Sequence, residues 1–64
     1  MNLVSGEIVE IYIEDGTAVA RVSVRGAVTR ASLMFLPEAR VGDTILMESG
    51  VAISKVQPEK VKEN

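Results

Sequence analysis

Apolar and polar residues alternate along the first half of the chain, a pattern typical of β-strands with one buried face. In the first segment the apolar positions are Val9, Ile11 and Ile13. Asp15-Gly16 follows, and this dipeptide readily adopts the positive φ angles of a two-residue type I′ turn. The turn predicts a hairpin whose apolar side chains share one face, pairing Ile13 with Ala18, Ile11 with Ala20 and Val9 with Val22.

Arg25-Gly26 indicates a second tight turn, in which Gly26 supplies a left-handed residue. This turn places Arg21 opposite Arg30, and the first hairpin places Glu10 beside Arg21. The three charges form a row on the outer face. We interpret the row as a solvated ion-pair ladder rather than an anion-binding site, because no glycine-rich loop or helix N-terminus accompanies it.

The alternation breaks at residues 34–40, which contain Pro37 and therefore predict a crossing connection rather than a central strand. Its apolar side chains either cap one end of a barrel or offer a partner an apolar surface. We expect capping, because so small a core has few large side chains to spare.

The second half of the chain predicts two more strands, 44–49 and 51–56, with a sharp bend or bulge at Gly50 between them. Five strongly curved strands indicate an all-β fold, a small OB-like barrel formed by residues 1–56. Residues 57–64 form a short tail. Pro58 suits the first turn of a helix, but the segment is too short for a stable one, and we expect it to fray.

Composition narrows the possible functions. The 64 residues include no cysteine and no histidine, which excludes disulfides and the usual soft metal ligands. The net charge of −2 is unlike that of most nucleic-acid-binding domains. The longest apolar run, residues 33–36, is far shorter than a membrane span, and no signal peptide is evident. We expect a cytoplasmic protein that is not an enzyme and has no cofactor.

The order of the segments resembles the HypC/HupF family of hydrogenase maturation chaperones. The similarity covers nearly the whole chain, and its most specific part is V-G-D-x-[IV]-L-x-x-x-G-x-A-I, residues 41–53. The resemblance implies an OB-type barrel with a C-terminal helical extension. It also implies a non-catalytic adaptor that works with HypD to deliver iron carrying cyanide and carbon monoxide to a [NiFe]-hydrogenase large-subunit precursor.

The sequence departs from the family pattern at functional positions. Asn2 stands where the family has a cysteine whose thiolate contacts the iron, and an amide cannot replace it. Glu48 stands where the family has a histidine, and the C-terminal extension is shorter. These three departures favour a divergent paralogue without iron transfer over a laboratory replacement of the cysteine. We therefore expect no bound metal.

The resemblance places partner binding at the N-terminus, Met1, Asn2, Leu3 and Val4, together with Glu48. The expected partners are a HypD-like maturation factor or a hydrogenase large-subunit precursor. Alternatively, Val4 pairs with a later strand and fills the barrel. Two other hypotheses stay open: an OB-type module that binds single-stranded nucleic acid or a small anion, and a structural oligomer joined through a strand edge. The sequence does not decide the oligomeric state.

Overall fold

The computed structural model of the protein describes residues 3–56, which form a closed antiparallel-rich barrel of five strands. Around the barrel the strand order is β1-β2-β3-β5-β4. This confirms the predicted all-β class and strand number. The predicted helical tail, residues 57–64, lies outside the described residues. The strands are β1 (Val4–Glu14), β2 (Thr17–Val24), β3 (Ala27–Ser32), β4 (Thr44–Glu48) and β5 (Val51–Val56).

Both predicted hairpin turns are present. Asp15 and Gly16 have φ angles of 50° and 77°, and Arg25 and Gly26 have 53° and 87°, as a type I′ turn requires. A third turn of the same kind joins β4 to β5, since Ser49 and Gly50 are also left-handed. β4 consequently ends at Glu48, one residue earlier than predicted.

The register of the first hairpin differs from the prediction at Val9. Ile13 and Ile11 pair with Ala18 and Ala20 as expected, but Val22 pairs with Ile8, because the register shifts between Ile8 and Glu10. Val9 is thus the extra residue of a β-bulge and is 47% exposed, whereas Ile8 is fully buried. The bulge arises where the backbone of Ile8 bonds to a distant loop, donating to Asp43 O at 2.9 Å and accepting from Gly42 N at 2.9 Å.

The second hairpin has the predicted register, with Arg21 opposite Arg30 and Val24 opposite Ala27. One face of both hairpins supplies four of the core residues, β4 and β5 supply three, and the loop after β3 supplies the other three. None of the buried residues in the part that the structure describes is polar or charged. The packed core consists of Ile8, Ala20, Val22, Ala31, Leu33, Leu36, Ala39, Ile45, Met47 and Ala52.

The loop between β3 and β4 caps the barrel with only some of its apolar side chains. Tight turns repeat every three residues, since Leu36 N donates to Leu33 O and Ala39 N donates to Leu36 O. This spacing buries Leu33, Leu36 and Ala39 on one side of the loop. Met34 and Phe35 lie between the buried positions and are exposed, so the expectation that they cap the barrel is wrong.

Closure of the barrel between β3 and β5 is minimal. Within residues 3–56 the two strands share one parallel pair, Ser32 with Val51, and Ser32 N donates to Gly50 O at 2.8 Å. No helix among the described residues has the length and apolar character to cross a membrane.

Candidate functional site

Two of the predicted partner-binding residues lie at the start of β1, where Leu3 immediately precedes the strand and Val4 is its first residue. The N-terminal part of β1 pairs with β4, and Val4 lies opposite Met47. Val4 therefore pairs with a later strand, as the alternative had it, yet its side chain remains 37% exposed and that of Leu3 58% exposed. Met1 and Asn2 lie outside the described residues.

Glu48 is close to this segment. Val4 on β1 pairs with Met47 on β4, and the two strands are antiparallel. Leu3, which precedes Val4, therefore lies next to Glu48, which follows Met47 at the end of β4. Glu48 is partly exposed and has no ion-pair partner within residues 3–56. The structure thus brings three of the predicted residues, which are far apart in the sequence, to adjacent positions.

A shallow cleft of about 610 Å³ adjoins the same segment. It is lined by Leu3, Val4 and Ser5 of the N-terminal segment and by Val24 and Arg25 from the β2–β3 hairpin. Ser5, Val24 and Arg25 are not among the predicted site residues. Val24 and Arg25 come close to the N-terminal segment only through the fold of the chain. The only sequence signal for this contact is Gly6, an isolated glycine within a strand pattern.

Gly6 makes this proximity possible. A Cβ atom at this position would lie 2.5 Å from Val22 Cγ1, 2.7 Å from Ser23 O and 2.8 Å from Val24 Cγ2. All three distances are shorter than an ordinary van der Waals contact. The absence of a side chain therefore lets β1 run against the end of β2, beside the cleft.

The V-G-D segment of the family motif has a structural role. Asp43 Oδ2 accepts a hydrogen bond from Arg40 N at 2.9 Å and lies 3.6 Å from Lys55 Nζ. Gly42 is left-handed, with a φ angle of 98°. Together with the two backbone bonds to Ile8, these contacts fasten the loop to β1 and β5 and bend β1 at the bulge. This segment shapes the barrel and contributes no residue to the cleft.

The predicted row of charges on the outer face is present, with an additional partner. Arg21 Nε lies 3.0 Å from Glu10 Oε1, and Arg30 pairs with Glu14. The Arg21 guanidinium also lies over the ring of Tyr12, 5.6 Å from its centroid. All four charged side chains are about half exposed, so the pairs contribute little to stability. Because a glutamate pairs with each arginine, this face does not form the basic groove typical of single-strand binding.

Groups of three or more histidine, cysteine, aspartate or glutamate residues suited to a metal ion do not occur within residues 3–56. The cleft is lined by aliphatic side chains, the hydroxyl of Ser5 and the guanidinium of Arg25, and Glu48 adds a carboxylate on the neighbouring strand β4. Such a set suits contact with another protein.

A model of the HupF/HypC family matches residues 4–64. The chain belongs to the HupF/HypC family. Members of this family are hydrogenase maturation chaperones rather than catalysts, and they act with protein partners. The search of curated proteins and the search of solved structures each returned no match. The match confirms the resemblance seen in the sequence and includes Val4, Glu48 and the whole barrel.

Proposed function

We propose that this HupF/HypC protein is a non-catalytic adaptor that docks on a HypD-like maturation factor or on a hydrogenase large-subunit precursor in the cytoplasm. Family membership supports the general role in hydrogenase maturation. The barrel supports the non-catalytic part, since its described interior is entirely apolar and offers no titratable group to a substrate.

The docking surface consists of residues 1–4 and Glu48. The observation that carries this assignment is the exposure of Leu3 and Val4 next to Glu48 and to the cleft. Exposed aliphatic side chains beside a charged rim are typical of protein contacts. Arg25, on the other side of the cleft, offers a cation to a carboxylate of the partner.

The adaptor docks without itself holding the iron cargo. Iron that carries cyanide and carbon monoxide needs a soft donor from the protein, and Asn2 supplies only an amide. The entire sequence contains no cysteine or histidine that could take over. In this proposal any iron stays on the partner, and the barrel organises the complex.

A binding measurement with matched variants tests this function. The HypD protein of the same organism is titrated with the wild-type chain and with Leu3→Asp by isothermal calorimetry. A charge at a desolvated apolar contact is expected to weaken binding by roughly tenfold or more. Ile13→Asp is the control, because Ile13 is exposed to a similar degree, 67%, but lies at the far end of β1. Equal binding by all three proteins would exclude the N-terminal segment as the docking surface.

The large-subunit precursor is titrated in the same way, since either partner fits the proposal. Failure of the wild-type chain to bind both proteins would contradict the adaptor function as a whole.

A further inference from the structure

Among the residues that the structure describes, β3 has an unpaired hydrogen-bonding edge. It pairs with β2 along its length, but on its other side it meets β5 only at Ser32. The preceding four residues of the strand, 27–30, are all exposed. A barrel strand normally has a neighbour on both sides, so this stretch resembles the edge strand of an open sheet.

The ladder identifies which backbone groups are free. A two-residue turn makes Val24 and Ala27 the first hydrogen-bonded pair, and such pairs recur at every second residue. Ala27, Thr29 and Ala31 therefore bond to β2, whereas the N–H and C=O groups of Val28 and Arg30 point away from it.

Two bonds at the end of the strand agree with this alternation. Leu33 N donates to Ala18 O on β2 at 2.9 Å, and Ser32 N donates in the opposite direction, to Gly50 O. For the corresponding groups of Val28 and Arg30, the structure shows no backbone partner within residues 3–56. Two residues of the edge thus have two donors and two acceptors without a backbone partner in the described part of the chain.

The charges along the edge indicate the chemistry of a strand that could bind there. Within residues 25–32 the only charged side chains are Arg25 and Arg30. Glu14, which pairs with Arg30, lies on β1, two strands away from the edge. A carboxylate on an added strand would be only one strand spacing, about 4.8 Å, from β3. It could therefore compete with Glu14 for Arg30.

We propose that the free edge of β3 binds an extended, acidic segment of a partner protein by β-strand addition. The backbone groups of Val28 and Arg30 supply the hydrogen bonds, and Arg25 and Arg30 select carboxylates. A second copy of this chain is a poorer occupant, because pairing β3 with itself brings four arginines together. This surface adjoins the N-terminal cleft at Arg25, but its hydrogen bonds come from β3, and it does not depend on the function proposed for the N-terminal segment.

The test uses the full-length ¹⁵N-labelled protein and a synthetic hexapeptide of alternating valine and glutamate, with blocked ends. Without peptide, the amides of Val28 and Arg30 should exchange with solvent much faster than those of Thr29 and Ala31. Saturating peptide should shift the resonances of Val28 and Arg30 and slow their exchange by roughly tenfold. A valine–lysine hexapeptide should bind at least several-fold more weakly.

Two variants localise the effect. Val28→Pro removes an edge N–H but no bond to β2, so it should abolish peptide binding while the fold persists. Arg30→Glu retains the backbone groups and should reverse the preference, favouring the lysine peptide. The second variant answers the question even if Val28→Pro does not fold.

Four results would overturn the proposal. Slow amide exchange of Val28 and Arg30 in the free protein at low concentration would mean that the chain's own residues cover the edge of β3. Protection that rises with protein concentration would identify a second copy as the occupant. Shifts confined to other residues would place the peptide elsewhere, and equal binding of the two peptides would remove the role of the arginines.

Discussion

Replacement of Gly6 by alanine is the sharpest test of how β1 packs in this structure. The new Cβ atom would lie 2.5 Å from Val22 Cγ1 and 2.7 Å from Ser23 O. Ordinary contacts between carbon atoms lie near 3.5 to 4.0 Å, so at least one neighbour must move by about 1 Å. The side chain of Val22 is fully buried, and Ser23 O belongs to the strand paired with β1. Neither atom can yield without disturbing the core or the ladder.

Overpacking of this kind costs roughly 1–3 kcal/mol, and we place Gly6→Ala near 3 kcal/mol because a backbone atom is among the obstacles. In a domain of this size, 3 kcal/mol lowers the melting midpoint by about 12–24 °C. It lowers the urea midpoint by about 3 M, for a slope near 1 kcal/mol/M. Circular dichroism during urea and thermal unfolding measures both quantities.

Gly16→Ala is the control for the loss of glycine itself. A Cβ atom at Gly16 meets nothing within 4 Å, but the residue is left-handed, so we expect a cost of about 1 kcal/mol. Val22→Ala removes one of the obstructing atoms and should reduce the additional cost of Gly6→Ala in the double variant. If Gly6→Ala is no more destabilising than Gly16→Ala, β1 does not run against β2 as described.

Three further predictions address the first hairpin, the cargo and the N-terminus. Gly16→Val forces a β-branched residue to positive φ, so it should lower the free energy of unfolding, measured with urea, by more than Gly16→Ala does. An unchanged urea midpoint would mean that the turn does not lie at Gly16. The protein purified anaerobically should contain no stoichiometric iron by elemental analysis, and it should not complement a strain that lacks its own HypC. One tightly bound iron per chain would refute the prediction that the chain holds no iron. Asn2→Asp should leave the melting midpoint nearly unchanged and weaken binding to HypD in the calorimetric titration, whereas undiminished binding would exclude Asn2 from the contact.

The parts of the fold that local chemistry determines could be predicted from the sequence. Asp15, Gly16 and Gly26 adopt the positive φ angles that their residue types tolerate, and the register of the second hairpin follows from its turn. Arg25 also has a positive φ, although arginine seldom adopts one. The bulge at Val9 could not be predicted in this way. It depends on hydrogen bonds between Ile8 and a loop that joins much later strands, so alternation alone placed Val9 opposite Val22.

The candidate site was predicted only in part, for a similar reason. The exposure of Leu3 and Val4 follows from their position before the regular alternation, and family resemblance added Glu48. The cleft also includes Val24 and Arg25, which no local pattern connects with the N-terminus. The expectation that the β3–β4 loop caps the barrel with its large side chains failed at Met34 and Phe35, because the three-residue repeat of turns was not evident from the sequence.

Gly6 connects the stability of the barrel to the geometry of the candidate site. The same close approach that excludes a Cβ atom brings Leu3 and Val4 beside Val24 and Arg25. A substitution at Gly6 would therefore displace the N-terminal segment and, under the proposed function, weaken docking even in molecules that remain folded. Loss of binding in such a variant would say nothing about direct contact. Only exposed positions such as Leu3, compared with Ile13, separate contact with a partner from the placement of the segment.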